Sequence, residues 1–390
     1  MSADAAETLS SGPLTLPPPA ASLPDASPDP AVVEVVEDVR DLVGPGVRLD
    51  AELVAAAVRG WSDNTRRAFR ADLTVWGDWC RRHGIVPAQA TQSHIAAFIR
   101  ALSGIDPSAE EIRAMATLER YVSTIGRAYR MAGMADPTNG ELVSLEKKAA
   151  RKKRGVRQRQ ARAIRFKGDI ADFDSPPSGV CLANLLKAVR RDVMGLRDEA
   201  LLRAAYDVAA RRSELVAIDV DHIHWPDAQG AGALFIPLSK TDQESEGAWG
   251  YLSPATMQAI VRWREAAHID KGPLFRRIET HFDGSIAAIG TKRLHPNSIN
   301  LLYKRLVQRA FDKKLLGPMS EAEVARWVAA VSSHSLRVGV AQDNFAAREP
   351  LPAIMQAYRW RDPKTVLRYG AQLAVKSGAA ARMAARVSEN

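Results

Sequence analysis

The chain of 390 residues suffices for two domains or one large one, and its make-up, 46% hydrophobic and 25% charged, is that of an ordinary globular protein. That excludes collagen-like, wholly disordered and rod-like coiled-coil chains. Two cysteines, Cys80 and Cys181, neither in a CxxC pair, exclude a disulfide framework and fit reduced thiols in a cytosolic protein.

The net charge of +9 is unevenly spread. Residues 1–47 hold eight acids against Arg40 alone, whereas residues 146–167 hold eleven Lys or Arg against Glu146 alone. A body so basic favours a polyanionic partner, nucleic acid first. No apolar run approaches the roughly 18 residues of a membrane span, and no basic start precedes an apolar stretch as in a signal peptide. A soluble, cytoplasmic protein with no membrane partner is expected.

In chain order, residues 1–47 carry eight of the 22 prolines and read as a disordered acidic tail, with helical spacing only over 32–43. From 48 to 150 the pattern is helical throughout. Ser62, Asp63, Asn64 and Thr65 supply cap residues for a helix bearing Phe69, Leu73, Trp76, Trp79 and Cys80, stopped at Gly84 and Pro87. Further helices are predicted over 92–102 and 109–131. Arg151-Lys152-Lys153-Arg154 centres a basic linker, 151–165, readable either as a solvated connector or as a strap across a nucleic-acid backbone.

The region 166–390 is predicted mostly helical, with helices over 178–193, 196–208, 254–268, 296–311, 320–331, 335–347, 352–358, 363–373 and 377–387. Three short strands, 218–223, 234–238 and 249–252, are predicted between them. The fold expected is mainly α: an all-helical N-terminal domain and a mostly helical second domain with a small antiparallel β-sheet. No solenoid repeat is present.

Two segments carry candidate chemistry: Ala209-Ala210-Arg211-Arg212-Ser213-Glu214-Leu215, and Ser333-His334-Ser335-Leu336-Arg337 with Trp360 and Tyr369 beyond it. His334 and Arg337, three apart on a helix, share a face and can bind a phosphate and move a proton beside it. Singly, each has a bland reading: a packed histidine, a core aromatic, a surface Arg–Glu pair. Asp219, Asp221, His222 and His224 resemble a metal cluster, but on a strand the aspartates and histidines would face opposite ways, so no metal is expected. No Gly-rich phosphate loop is found.

Taken together, the order and spacing resemble the tyrosine recombinase (phage integrase) family, and within it the Cre-type recombinases. The family pattern is an arginine before a Ser-Glu-Leu, a lysine in a following hairpin, His-x-x-Arg, a His or Trp, and a tyrosine nine residues on. Here these are Arg211, Lys240 within Ser239-Lys240-Thr241, His334, Arg337, Trp360 and Tyr369. His334-Ser335-Leu336-Arg337-Val338-Gly339, Ile354-Met355-Gln356-Ala357 and Trp76-Gly77-Asp78-Trp79-Cys80 look Cre-like, and the resemblance spans about 48–390.

It implies the fold of the DNA breaking–rejoining enzymes and a site-specific recombinase cutting and rejoining strands through a 3′-phosphotyrosine at Tyr369. Arg211 and Arg337 would hold the phosphate, His334 and Lys240 would move protons, Trp360 would buttress the site and Glu214 would orient its arginines. No ATP or other cofactor is implied.

The implied partner is double-stranded DNA with an inverted-repeat-like site, bound by a homotetramer at the nucleoid. Candidate DNA contacts are Thr65, Arg66, Arg67, Arg70, Arg120, Thr124 and Arg127 in the first domain and Asn297, Asn300 and Lys304 in the second. The Ala-rich last helix either caps its own domain or docks on a neighbouring protomer. An integrase needing accessory proteins, a decayed DNA-binding regulator and a metal-dependent nuclease are the alternatives; the intact residue set argues against decay.

Overall fold

In the computed structural model the described residues are 29–44, 47–106, 111–155, 160–168, 175–237 and 247–388. The chain divides into two compact units, 1–159 and 160–390.

The first unit is helical: α1 (Pro30–Val43), α2 (Ala51–Arg59), α3 (Asp63–Arg82), α4 (Gln92–Ser103), α5 (Met115–Met131) and α6 (Glu141–Arg154). Ser62 caps α3 by accepting the Thr65 N–H at 3.3 Å. The spacing of Trp76 and Trp79 then turns both indoles into the core, stacked at 5.3 Å with Phe98 edge-on to each.

Two expectations need correction here. Residues 30–43 are not tail. They form α1, whose Val35 and Val39 are fully buried in the core of this unit, because the valines at i and i+4 make one apolar face beneath an acidic one. The basic band is not all linker either: Arg151 to Arg154 end α6, where cations offset the carbonyl end of the helix dipole.

The second unit contains α7 (Leu182–Ala188), α8 (Val193–Asp207), α9 (Arg212–Val216), β1 (Ile223–His224), β2 (Gly232–Ile236), β3 (Ala248–Leu252), α10 (Pro254–Ala267), β4 (Arg276–Thr280), β5 (Ile286–Arg293), α11 (Pro296–Asp312) and α12 (Glu321–Ala330). It continues with α13 (Ser335–Ala346), α14 (Leu351–Ala357), α15 (Pro363–Ser377) and α16 (Ala379–Ser388). Strands β1, β2 and β3 make an antiparallel sheet in that order, with Leu234 opposite Gly250. β4 and β5 form a separate two-stranded ribbon with register shifts. Trp263, Phe275 and Tyr303 are completely buried in the main core.

The segment entering this unit positions α13. Ile164 donates its N–H to Ser335 O at 2.9 Å, and the approach is so close that a Cβ on Gly339 would lie 1.9 Å from Ile164 O. Arg165, assigned above to the linker, is instead buried against Asp343 of α13 at 2.7 Å; Asp343 also accepts the Phe166 N–H and the Tyr206 hydroxyl. A charge this deep requires such a full set of partners.

Candidate active site

The site is built where α8 ends. Ala209 sits at φ +45° and turns the chain sharply, so that successive carbonyls point inward: Val208 O accepts Arg359 Nη2 at 3.0 Å, and Ala209 O accepts Arg337 Nη1. Arg211 follows as the cap of α9. Its Nη1 donates to Glu214 Oε1 at 2.6 Å and its own N–H to Glu214 Oε2 at 2.9 Å. Burial alone would raise the Glu214 carboxyl. The hydrogen bonds and charge of Arg211, with Arg359 behind, outweigh it and lower Glu214 below its ordinary value.

Arg337, on the third residue of α13, is buried, its guanidinium carbon 4.9 Å from the centre of the Trp360 ring. Burial, then the neighbouring Arg211, lowers it to about 10, so it stays cationic at neutral pH. His334 caps the same helix, and its backbone arrives there because Asn300 Oδ1 accepts the Ser333 N–H at 2.6 Å. Although His334 is exposed as a residue, the protein around its imidazole and then the charges of Arg337, Arg211 and Arg212 lower it below the ordinary histidine value.

Tyr369, half-buried on α15, meets Trp360 edge-to-face at 6.1 Å, and its carbonyl accepts Gln342 Nε2 at 3.1 Å. The buried Trp360 Nε1 has no hydrogen-bond partner among the described residues. Ala209, Val340, Ile354, Trp360 and Val366 form the apolar floor beneath this group.

Thus Arg211, Glu214, His334, Arg337, Trp360 and Tyr369 lie together. Lys240 lies outside the described residues. Arg359 joins the cluster without having been singled out in the sequence, where an arginine after a helix end carries no signal of what its side chain reaches.

The first-unit residues expected to meet DNA lie at the start of α3 and along α5, and most are engaged inside the unit. Arg66 and Arg70 reach the acids of α1: Arg70 pairs with Asp38 at 2.6 Å and Glu34 at 2.8 Å, and Arg66 with Glu34 at 3.9 Å and Asp63 at 2.8 Å. Arg67 bonds Asn64, and Thr65 meets Ser62. Arg120 and Thr124 share the buried Asp72, at 2.8 and 2.9 Å, and Arg127 lies over the Trp61 ring. On α11, Asn297 accepts from Arg212 at 2.9 Å, so both asparagines use their carbonyl oxygens to support the arginine–histidine cluster; Lys304 is half-buried.

The acidic and histidine run at 219–224 is not one strand, as expected above. Val220–His222 is a 3₁₀ turn capped by Asp219, because His222 Nδ1 accepts the Asp219 N–H, and only Ile223–His224 pairs as β1. Asp219 bonds Arg293 at 2.6 Å and His224 packs on Trp249. Among the described residues no three His, Cys, Asp or Glu side chains group to hold an ion, and no helix is long and apolar enough to cross a membrane.

This fold is that of the site-specific recombinases. The solved structure of XerH recombinase bound to palindromic difH substrate aligns over 92% of this chain and 96% of its own, with a TM-score of 0.53 and 12% identity. In sequence the chain is similar to the tyrosine recombinases. An integrase/recombinase XerD homologue of Selenomonas ruminantium is 29% identical over 320 residues, 79% of this chain and 81% of the relative. The Cre recombinase of Escherichia phage P1 is 25% identical over 334 residues, 83% and 89% respectively. No sequence-family profile matches the chain.

Proposed function

We propose that the protein is a site-specific DNA recombinase that cleaves and rejoins strands through a 3′-phosphotyrosine at Tyr369. The observation that carries this reading is the convergence of Arg211, His334, Arg337 and Trp360 beside a helix-borne tyrosine. Attack of the Tyr369 hydroxyl on a phosphodiester adds negative charge to the non-bridging oxygens, and the forked donors of two permanent cations match them. The unpartnered Trp360 N–H is a further donor in the same cluster.

His334, biased toward its neutral form, accepts the phenolic proton. As the P–O5′ bond breaks, Lys240, the hairpin lysine of the family pattern, gives its proton to the departing 5′ oxygen. The phosphotyrosine keeps the energy of the diester, so a 5′ hydroxyl reverses the step without ATP.

The likeness to XerH and Cre supports duplex DNA as the partner, and the inverted-repeat site, the tetramer and the nucleoid location belong to this proposal. So do the extents of the parts: a DNA-binding domain to about residue 150, a basic connector and a catalytic domain from about 166.

The test incubates the protein with a library of nicked duplex fragments, from which the cleaved end diffuses away and leaves the enzyme trapped. Sequencing the DNA bound through tyrosine yields one recurrent site if the reading is correct. Tyr369→Phe should bind the same fragments and form no adduct. An adduct in that variant rejects Tyr369 as nucleophile.

A further inference from the structure

The residue before Trp360 is an arginine in a left-handed conformation, Arg359 at φ +57°, directly after the end of α14. That place is one glycine takes without strain, and an arginine there carries a cost that its side chain must offset. The side chain is 13% exposed. Its Nη2 donates to Val208 O at 3.0 Å and lies 3.8 Å from Glu214 Oε2, the same oxygen that accepts the Arg211 N–H at 2.9 Å. Its Nη1 packs so closely under β3 that a Cβ at Gly250 would stand 2.9 Å from it, and that nitrogen has no hydrogen-bond partner among the described residues.

From these contacts we propose that Arg359 is a positioning residue for strand cleavage, one that clamps Glu214 and the turn at 208–209 so that Arg211 and Arg337 are held ready for the phosphate. The inference rests on the recombinase reading above. Two arguments carry it. Val208 O and Ala209 O are consecutive carbonyls, so fixing the first with Arg359 fixes the second, on which Arg337 rests. The carboxylate of Glu214 would otherwise bear on Arg211 alone and neutralise the cation intended for the phosphate. Shared between two guanidiniums, it orients Arg211 while leaving the cluster positive.

The experiment uses full-length protein and the library of nicked duplex fragments. Arg359→Gly and Arg359→Ala delete the same guanidinium but differ in backbone strain, so the glycine variant should melt above the alanine variant. Both should form the tyrosine adduct about ten- to a hundredfold more slowly, as when a partner that orients a functional group is lost, with duplex affinity unchanged. In a Glu214→Gln background, removing Arg359 should slow the reaction by a smaller factor than in the wild type, because only its hold on Val208 O is then left to lose.

A glycine variant that reacts at the wild-type rate, or rates that follow melting temperature instead of the side chain, overturns the inference while leaving the recombinase reading intact. A wild-type protein that forms no tyrosine adduct overturns both.

Discussion

Each charged residue of the candidate site carries a distinct task because its surroundings differ. Arg337 is buried and anchored by a backbone carbonyl, so it is a fixed cation. His334 stands at a helix cap where the protein around its imidazole, and then three arginines, disfavour the imidazolium. A proton acceptor must be neutral, and a lowered value extends the neutral form to lower pH. Adduct formation should therefore fall in acid along a limb lying below the ordinary histidine value of 6.5. A pH–rate profile checks this, and His334→Ala should remove the limb along with most of the rate.

Asp343 makes the opposite case, a charge used for structure. Its oxygens satisfy Arg165, the Phe166 N–H and the Tyr206 hydroxyl. Asp343→Ala would break a buried ion pair and take their acceptor from the Phe166 N–H and the Tyr206 hydroxyl, a loss of about 3–5 kcal/mol. Denaturant titration of the whole chain should show it as a fall in midpoint of the second unit.

Among the elements, α1 has the least expected consequence. Its apolar face packs in the core while Glu34 and Asp38 hold Arg70 and Arg66. If those arginines meet phosphates, DNA must displace the acids. The double variant Glu34→Gln/Asp38→Asn keeps the valines, so it should lose only about 0–1 kcal/mol for each Glu34 pair, which faces solvent, and little for Asp38, because the desolvation of its largely buried carboxyl offsets its attraction to Arg70. It should also bind duplex DNA more tightly in a filter-binding assay; weaker binding would mean that the acids orient the arginines for DNA.

That helix also shows what a sequence conceals. Elements with strong local caps were legible: Ser62 before α3, Ser253 before α10, and Ser320 with Glu323 boxing the start of α12. β4 and β5 were missed because neither face is buried and bulges interrupt the alternation. The helical pattern was legible through residue 150, but the last turn of α6 was hidden by its own charge; α1 showed helical spacing over 32–43, while its place in the core was hidden by the prolines and acids around its valines. In the site, the spacing of His334, Arg337, Trp360 and Tyr369 was readable along the chain. Arg359 and Asp343 act through partners over a hundred positions away, which no local pattern reports.

Over the whole molecule, 54 Lys and Arg face 45 Asp and Glu, yet many of the first unit's arginines are already spent on internal acids. Each phosphate contact releases counterions and adds about 0.9 to the steepness of log affinity against log salt. An arginine that must first leave a carboxylate gains less, because salt also screens the pair it abandons, over a Debye length of about 10 Å at 0.1 M. Duplex affinity should thus fall as salt rises, but less steeply than the number of cations suggests. The Glu34→Gln/Asp38→Asn protein should show the steeper line, since Arg70, released from both acids, exchanges nothing but water and ions for phosphate, while Arg66 keeps Asp63. Affinities measured across a salt series for both proteins decide the matter: a flat line in both would remove duplex DNA as the partner, and parallel sloping lines would show that releasing Arg70 from the acids of α1 adds no phosphate contact.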